Sequence, residues 1–177
     1  MDDLIRSGHR KLARSFNLSY RYIDDLIVFN NRKFRDYVKY IYPSELSVEK
    51  ANKTDDLANY LDLTFTIDNN NRLSTKLYDK RDDFNFHIVN FPFMSSNIPS
   101  GPSYGVYISQ LIRYARCCTY YEDFAYRHKL LVDRLLSQGY RVNRLRNSFN
   151  KFYGRYPDLI QKYQRSVKVM VADSYRQ

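Results

Sequence analysis

Two adjacent carboxylates, Asp24 and Asp25, sit inside a run of apolar and β-prone residues, Arg21-Tyr22-Ile23-Asp24-Asp25-Leu26-Ile27-Val28-Phe29. Charges withdrawn from water cost several kcal/mol unless something compensates them, so this run does not read as one buried strand. The β-prone residues on both sides predict a hairpin over 17–29 with the acids at its tip. A solvated acidic turn satisfies that pattern. So does a pair of ligands for a divalent cation, whose hard-oxygen preference suits Mg²⁺.

The rest of the first half predicts short helices and strands. Leu4, Ile5, His9, Leu12 and Phe16 recur at helical spacing over 1–16, with Asp2 and Asp3 in the first turn where they complement the helix dipole. Phe34, Tyr37, Val38 and Ile41 share a helical face over 32–41, and Pro43 stops that helix. Leu46, Val48 and Ala51 alternate with polar residues as a short strand would. Leu61, Leu63, Phe65 and Ile67 alternate strictly, Asp68-Asn69-Asn70-Asn71 is turn chemistry, and Leu73, Thr75 and Leu77 return: a second hairpin. The apolar stretch from Phe84 to Met94 is broken by Pro92 and reads as an edge strand or irregular segment.

Residues 95–103 hold two prolines and a glycine, and read as a linker. Beyond it the period is helical throughout. Tyr107, Leu111, Tyr114, Ala115 and Cys118 form one face; Phe124, Leu131 and Leu135 form a second, ended by Gly139. Val142, Leu145, Phe149 and Phe152 form a third, ended near Gly154, and Pro157 opens a fourth with Ile160, Tyr163 and Val167 inward. The tail from Ala172 is expected to fray.

Charge divides at the same place. Residues 104–177 carry 14 Lys/Arg against 5 Asp/Glu, and ten of those cations are Arg. Residues 1–103 carry 15 against 14, so nearly all of the +10 net charge lies in the second part. Arg matches phosphate with a planar fork, and the chain's 18 Tyr and 11 Phe supply rings for base stacking. A solvated helix face over an aromatic core accounts for the same composition; the asymmetry favours nucleic acid. A hydrophobic content of 44% excludes a disordered chain. No apolar run is long enough to span a membrane, and residues 1–6 lack the plan of a secretory signal. Cys117 and Cys118 are neighbours, which suits neither a disulfide framework nor zinc; reduced thiols on a helix, and an intracellular protein, are expected.

The Tyr22-Ile23-Asp24-Asp25 sequence resembles the Tyr-X-Asp-Asp box of reverse transcriptases, which marks the palm hairpin. The order that follows is similar to that family's palm and thumb over roughly 1–155. Tyr60-Leu61-Asp62-Leu63-Thr64 resembles the strand after motif D. Leu77-Tyr78-Asp79-Lys80, Gln110-Leu111-Ile112-Arg113-Tyr114-Ala115-Arg116, Asp123-Phe124-Ala125-Tyr126-Arg127 and Leu136-Ser137-Gln138-Gly139-Tyr140 follow in order, closest to Penelope-like or related non-LTR elements. The resemblance implies an α+β fold: a partial polymerase palm over 1–94, a linker over 95–103, and a basic all-helical thumb-like subdomain over 104–177.

It also implies roles. Asp24 would be a direct Mg²⁺ ligand of a two-metal site with Asp25 in support, Tyr22 would lie near the primer terminus, and Ile23 would line the site. Arg113, Arg116 and Arg127 would follow the backbone of an RNA template–DNA primer duplex, with a dNTP as the second substrate. Lys50 is a candidate proton donor to pyrophosphate, though a surface lysine also fits. Phe91-Pro92-Phe93-Met94 is a possible primer grip, though a core or edge segment fits equally well. His9, His87 and His128 have no partners at metal spacing and read as core or surface residues. Only 21 residues precede Tyr22, so the motif A aspartate and the fingers are absent from this stretch. The expectation is a C-terminal polymerase segment that is inactive alone. The other readings are a nucleic-acid-binding remnant without chemistry and a structural or partner-binding domain.

Overall fold

The computed structural model describes residue 6 and residues 10–84 and 91–175, which combine α-helices with short antiparallel hairpins in an α+β fold. They fall into two compact units, 1–61 and 62–177. No described helix is long and apolar enough to cross a membrane.

The first unit contains α1 (Arg10–Ser15), β1 (Ser19–Tyr22), β2 (Asp25–Val28), α2 (Phe34–Ile41) and β3 (Leu57–Tyr60). Of the helix expected over 1–16, residues 1–5 and 7–9, including His9, lie outside the described residues. β1 and β2 pair antiparallel from Ser19 opposite Val28 to Tyr22 opposite Asp25, as the apolar flanks of the acid pair predict. Ala13, Phe16 and Ile27 are buried, and the Phe16 ring meets Phe34 and Tyr37 edge-on at 6.1 Å each. α2 ends where Tyr42 turns extended, the conformation that Pro43 imposes on its predecessor. The strand expected over 46–51 does not form: Leu46 and Val48 are exposed, and three alternating residues with no partner strand bury too little to hold one.

The second unit begins with β4 (Leu63–Ile67) and β5 (Leu73–Leu77), paired from Leu63 opposite Leu77 to Ile67 opposite Leu73. Asp68 makes their turn by accepting from the Asn70 and Arg72 amides. Leu61 does not join this strand as its alternation suggested. It sits at φ +53 between Tyr60 and Leu63 as a turn residue. A 3₁₀ turn over Lys80–Asp83 is capped by the Asp79 side chain. The helices are α3 (Ser100–Cys117), α4 (Tyr121–Ser137), α5 (Val142–Arg155), α6 (Pro157–Ile160) and α7 (Val167–Tyr175).

Their inward faces are those the periodicity predicts, with two exceptions: Val142, at the start of α5, is exposed, and the fourth helix breaks at Gln164, which takes φ +51, so that Val167 opens α7 instead. Tyr107, Leu111, Ala115, Phe124, Leu131, Leu135, Leu145, Phe149 and Phe152 are all at most 1% exposed. α4 ends as its glycine predicts: Gly139 takes φ +86, and the Gly139 and Tyr140 amides donate to the Leu136 and Leu135 carbonyls.

Two expectations fail here for physical reasons. The segment 95–103 divides neither the chain nor the core. α3 already starts at Ser100, because Pro102 falls in the first turn, where an amide has no intrahelical acceptor. The hairpin before it is fastened to the helix after it. The Thr119 amide donates to the Thr75 carbonyl at 2.8 Å, the Thr75 hydroxyl donates to the Cys117 carbonyl at 2.7 Å, and Leu77 belongs to the helical core. The tail does not fray from Ala172 either. α7 runs to Tyr175, and Ser174 is buried against His128.

The acidic hairpin tip and the basic helix

β1 and β2 are joined by a two-residue turn, Ile23-Asp24, which leaves Tyr22, Ile23, Asp24 and Asp25 all exposed. Ile23 adopts φ +51. A β-branched residue is strained in that region, and such strain persists only where the surroundings hold it. The holding contact is local: Arg21 Nε donates to the Ile23 carbonyl at 2.8 Å, while its guanidinium lies over the Tyr42 ring at 5.2 Å. Asp24 and Asp25 are therefore presented to solvent on a two-residue turn, and their compensation comes from water or from a ligand. Among the described residues no group of three His, Cys, Asp or Glu side chains converges as a metal site would require.

Lys50 is ion-paired with Asp55, and this pair holds the Asp55 carboxyl below its ordinary range. Of the stretch from Phe84 to Met94, residues 85–90, including His87, lie outside the described residues. Phe91 is buried in the helical core, and the Met94 amide donates to the Gln138 carbonyl at 3.0 Å. These contacts pack Phe91 and Met94, while the Phe93 ring stays exposed.

The three singled-out arginines part company. Arg113 binds Asp62 at 2.8 Å. Arg127 binds Asp82 and also donates to the Leu77 carbonyl at 3.2 Å, so its guanidinium ties the 3₁₀ turn and β5 to α4. Arg116 stands exposed on the last turn of α3.

The stronger cationic surface was not singled out. Residues 141–155 carry Arg141, Arg144, Arg146, Lys151 and Arg155, all exposed, and no acid. No described carboxylate forms an ion pair with any of them. Arg144 lies over Tyr104, Arg146 over Tyr175 and Arg155 over Tyr156, at 5.7, 5.3 and 5.8 Å from the ring centroids. Those contacts orient the charges outward without neutralising them. Leu145, Phe149 and Phe152 on the opposite face fix the helix against the core. An acid-free run of cations at the solvated positions of one helix was the signal available in the sequence.

His128 is a core residue, with Nε2 at 2.6 Å from the Tyr107 hydroxyl and Nδ1 at 2.6 Å from the Ser174 hydroxyl. Cys117 and Cys118 are free, and burial raises both thiols, so neither is poised as a thiolate. Comparison of the chain with protein-family models, with curated proteins and with solved structures gives no match.

Proposed function

We propose that the chain is the palm and thumb portion of a retroelement reverse transcriptase, extending a DNA primer on an RNA template by two-metal nucleotidyl transfer. The observation that carries this reading is the hairpin tip: a two-residue turn that exposes Asp24 and Asp25 beside Tyr22. The α5 cations support it, as a face suited to duplex phosphates.

The donor chemistry fits Mg²⁺, which is commonly held by one or two carboxylates together with substrate phosphates. Asp24 and Asp25 would hold it through their side-chain oxygens. When bound, the metal supplies activation of the primer 3′-hydroxyl and neutralises charge on the leaving pyrophosphate. The chain's own residues do the rest. Arg21 keeps the turn in its strained form, Tyr22 offers an exposed ring to the primer terminus or the dNTP, and α5 tracks the backbone. With no third carboxylate beside the pair among the described residues, catalysis needs one from elsewhere.

The second reading, a nucleic-acid-binding protein without chemistry, is favoured by the exposed cations of α5, which need no metal to bind phosphates. The two separate by complementation. The 177-residue chain alone is expected not to extend a primer on an RNA template. Supplied with a fingers and palm segment carrying the motif A aspartate, it is expected to do so in Mg²⁺. Asp24→Asn then abolishes extension while leaving hybrid binding intact; equal extension by both proteins removes Asp24 from the chemistry.

A further inference from the structure

The first unit contains a cleft of about 680 Å³ lined by Lys11, Ser15, Asn30, Asn31, Arg32, Lys33 and Tyr37. Of its seven described lining residues three are cations and none is an acid. No described carboxylate forms an ion pair with Lys11, Arg32 or Lys33. Asp55, which feels the Arg32 charge, is bonded to Lys50 instead. Asp36 lies in the first turn of α2, but neither it nor Asp55 ion-pairs with Lys11, Arg32 or Lys33, so the excess of cations at the cleft favours an anion.

Two further features belong to the same place. The Asn31 Oδ1 accepts from the Lys33 amide at 3.2 Å, but its Nδ2 is buried with no hydrogen-bond partner among the described residues. The N-terminus of α2, directly after Lys33, has no side-chain cap, and Asp36 in its first turn faces the positive end of the dipole.

We propose that this cleft grips the phosphodiester backbone of a nucleic-acid strand, which Lys11, Arg32 and Lys33 neutralise. The proposal rests on the polymerase reading and adds to it a second phosphate-binding surface, separate from α5. A strand is favoured over a free nucleotide because all three cations are exposed. A small ligand is ordinarily enclosed over most of its surface, whereas a polymer passing over an open cleft needs contact on one side only.

The test is salt-dependent binding of a short RNA–DNA hybrid by the full chain. Each neutralised phosphate contributes about −0.9 to the slope of log affinity against log salt. Lys11→Gln, Arg32→Gln and Lys33→Gln together should lower the magnitude of the slope by about 2 to 3. Arg35→Gln, Lys39→Gln and Lys53→Gln remove the same charge outside the cleft and should change it little. Lys11→Arg, Arg32→Lys and Lys33→Arg should restore it, and circular dichroism checks that each variant folds.

Equal losses in the cleft and control variants would overturn the proposal while leaving nucleic-acid binding in place. Competition by inorganic pyrophosphate that the cleft variant escapes would assign the cleft to a free polyphosphate and overturn it too. Absence of hybrid binding by the unmodified chain would overturn both this proposal and the reading on which it rests.

Discussion

Acidification below about pH 6.5 should destabilise the helical unit steeply, by roughly 3 kcal/mol by about pH 4.5. The cause is His128, which has no exposed surface and is ringed by Phe124, Phe149 and Tyr107. Its two nitrogens face hydroxyls, of Tyr107 and Ser174, and a hydroxyl can donate to one nitrogen or accept from the other. The neutral ring is thus fully satisfied. A second ring proton would bring a charge into an apolar, aromatic box, and burial lowers the folded pKa to about 3. Between that value and the unfolded value near 6.5, the unfolded chain binds the extra proton and the folded one does not. Stability from this group is therefore complete above pH 6.5 and declines as pH falls through the window. Denaturant unfolding at a series of pH values measures it. His128→Gln should lower the baseline and remove most of the slope above about pH 4.5, where carboxylates contribute little. An unchanged slope in that variant would assign the acid sensitivity to other groups.

Phe149→Ala should cost about 3–5 kcal/mol, the range for emptying a buried aromatic site. Phe149 is fully buried on α5, stacks on the His128 ring at 4.7 Å and 15°, and meets Phe152 at 5.9 Å. Truncation removes that packing, and water entering the space would ease protonation of His128. The acid-sensitive slope should shrink together with the stability. Val142→Ala, at a 36% exposed position on the same helix, should cost well under half as much. Equal costs, read from urea midpoints at one pH, would mean that α5 is not anchored through Phe149. The consequence bears on the proposed nucleic-acid binding, because the same helix carries Arg144, Arg146, Lys151 and Arg155, all exposed.

Local pattern carried much of this fold. The turn at Asp68, the cap at Gly139, the hairpin around Asp24 and the inward faces of α3, α4 and α5 each follow from spacings within a few residues. What escaped was long-range or geometric. Pro99, Gly101 and Pro102 mark a break in backbone period, but whether a break divides units depends on contacts such as Thr75 with Thr119, which no local window holds. Ser174 looked like tail because its partner, His128, lies on another helix. Arg113 and Arg127 looked free because their acids, Asp62 and Asp82, are distant in sequence. At the hairpin tip, the residue types forecast the turn, but nothing in them forecast that Ile23 would take a left-handed conformation held by Arg21. The cationic cleft around Asn31 was equally hidden, since Lys11 and Arg32 meet only through the fold.

On the function proposed above, this chain holds a nucleic-acid duplex. Titration of the purified protein with an RNA–DNA hybrid across a range of KCl concentrations tests it most directly. Five cations over 141–155 with no ion pair to a described carboxylate predict that log affinity falls with log salt at a slope of about −4 or steeper. An affinity independent of salt, or no binding at low salt, would contradict the account.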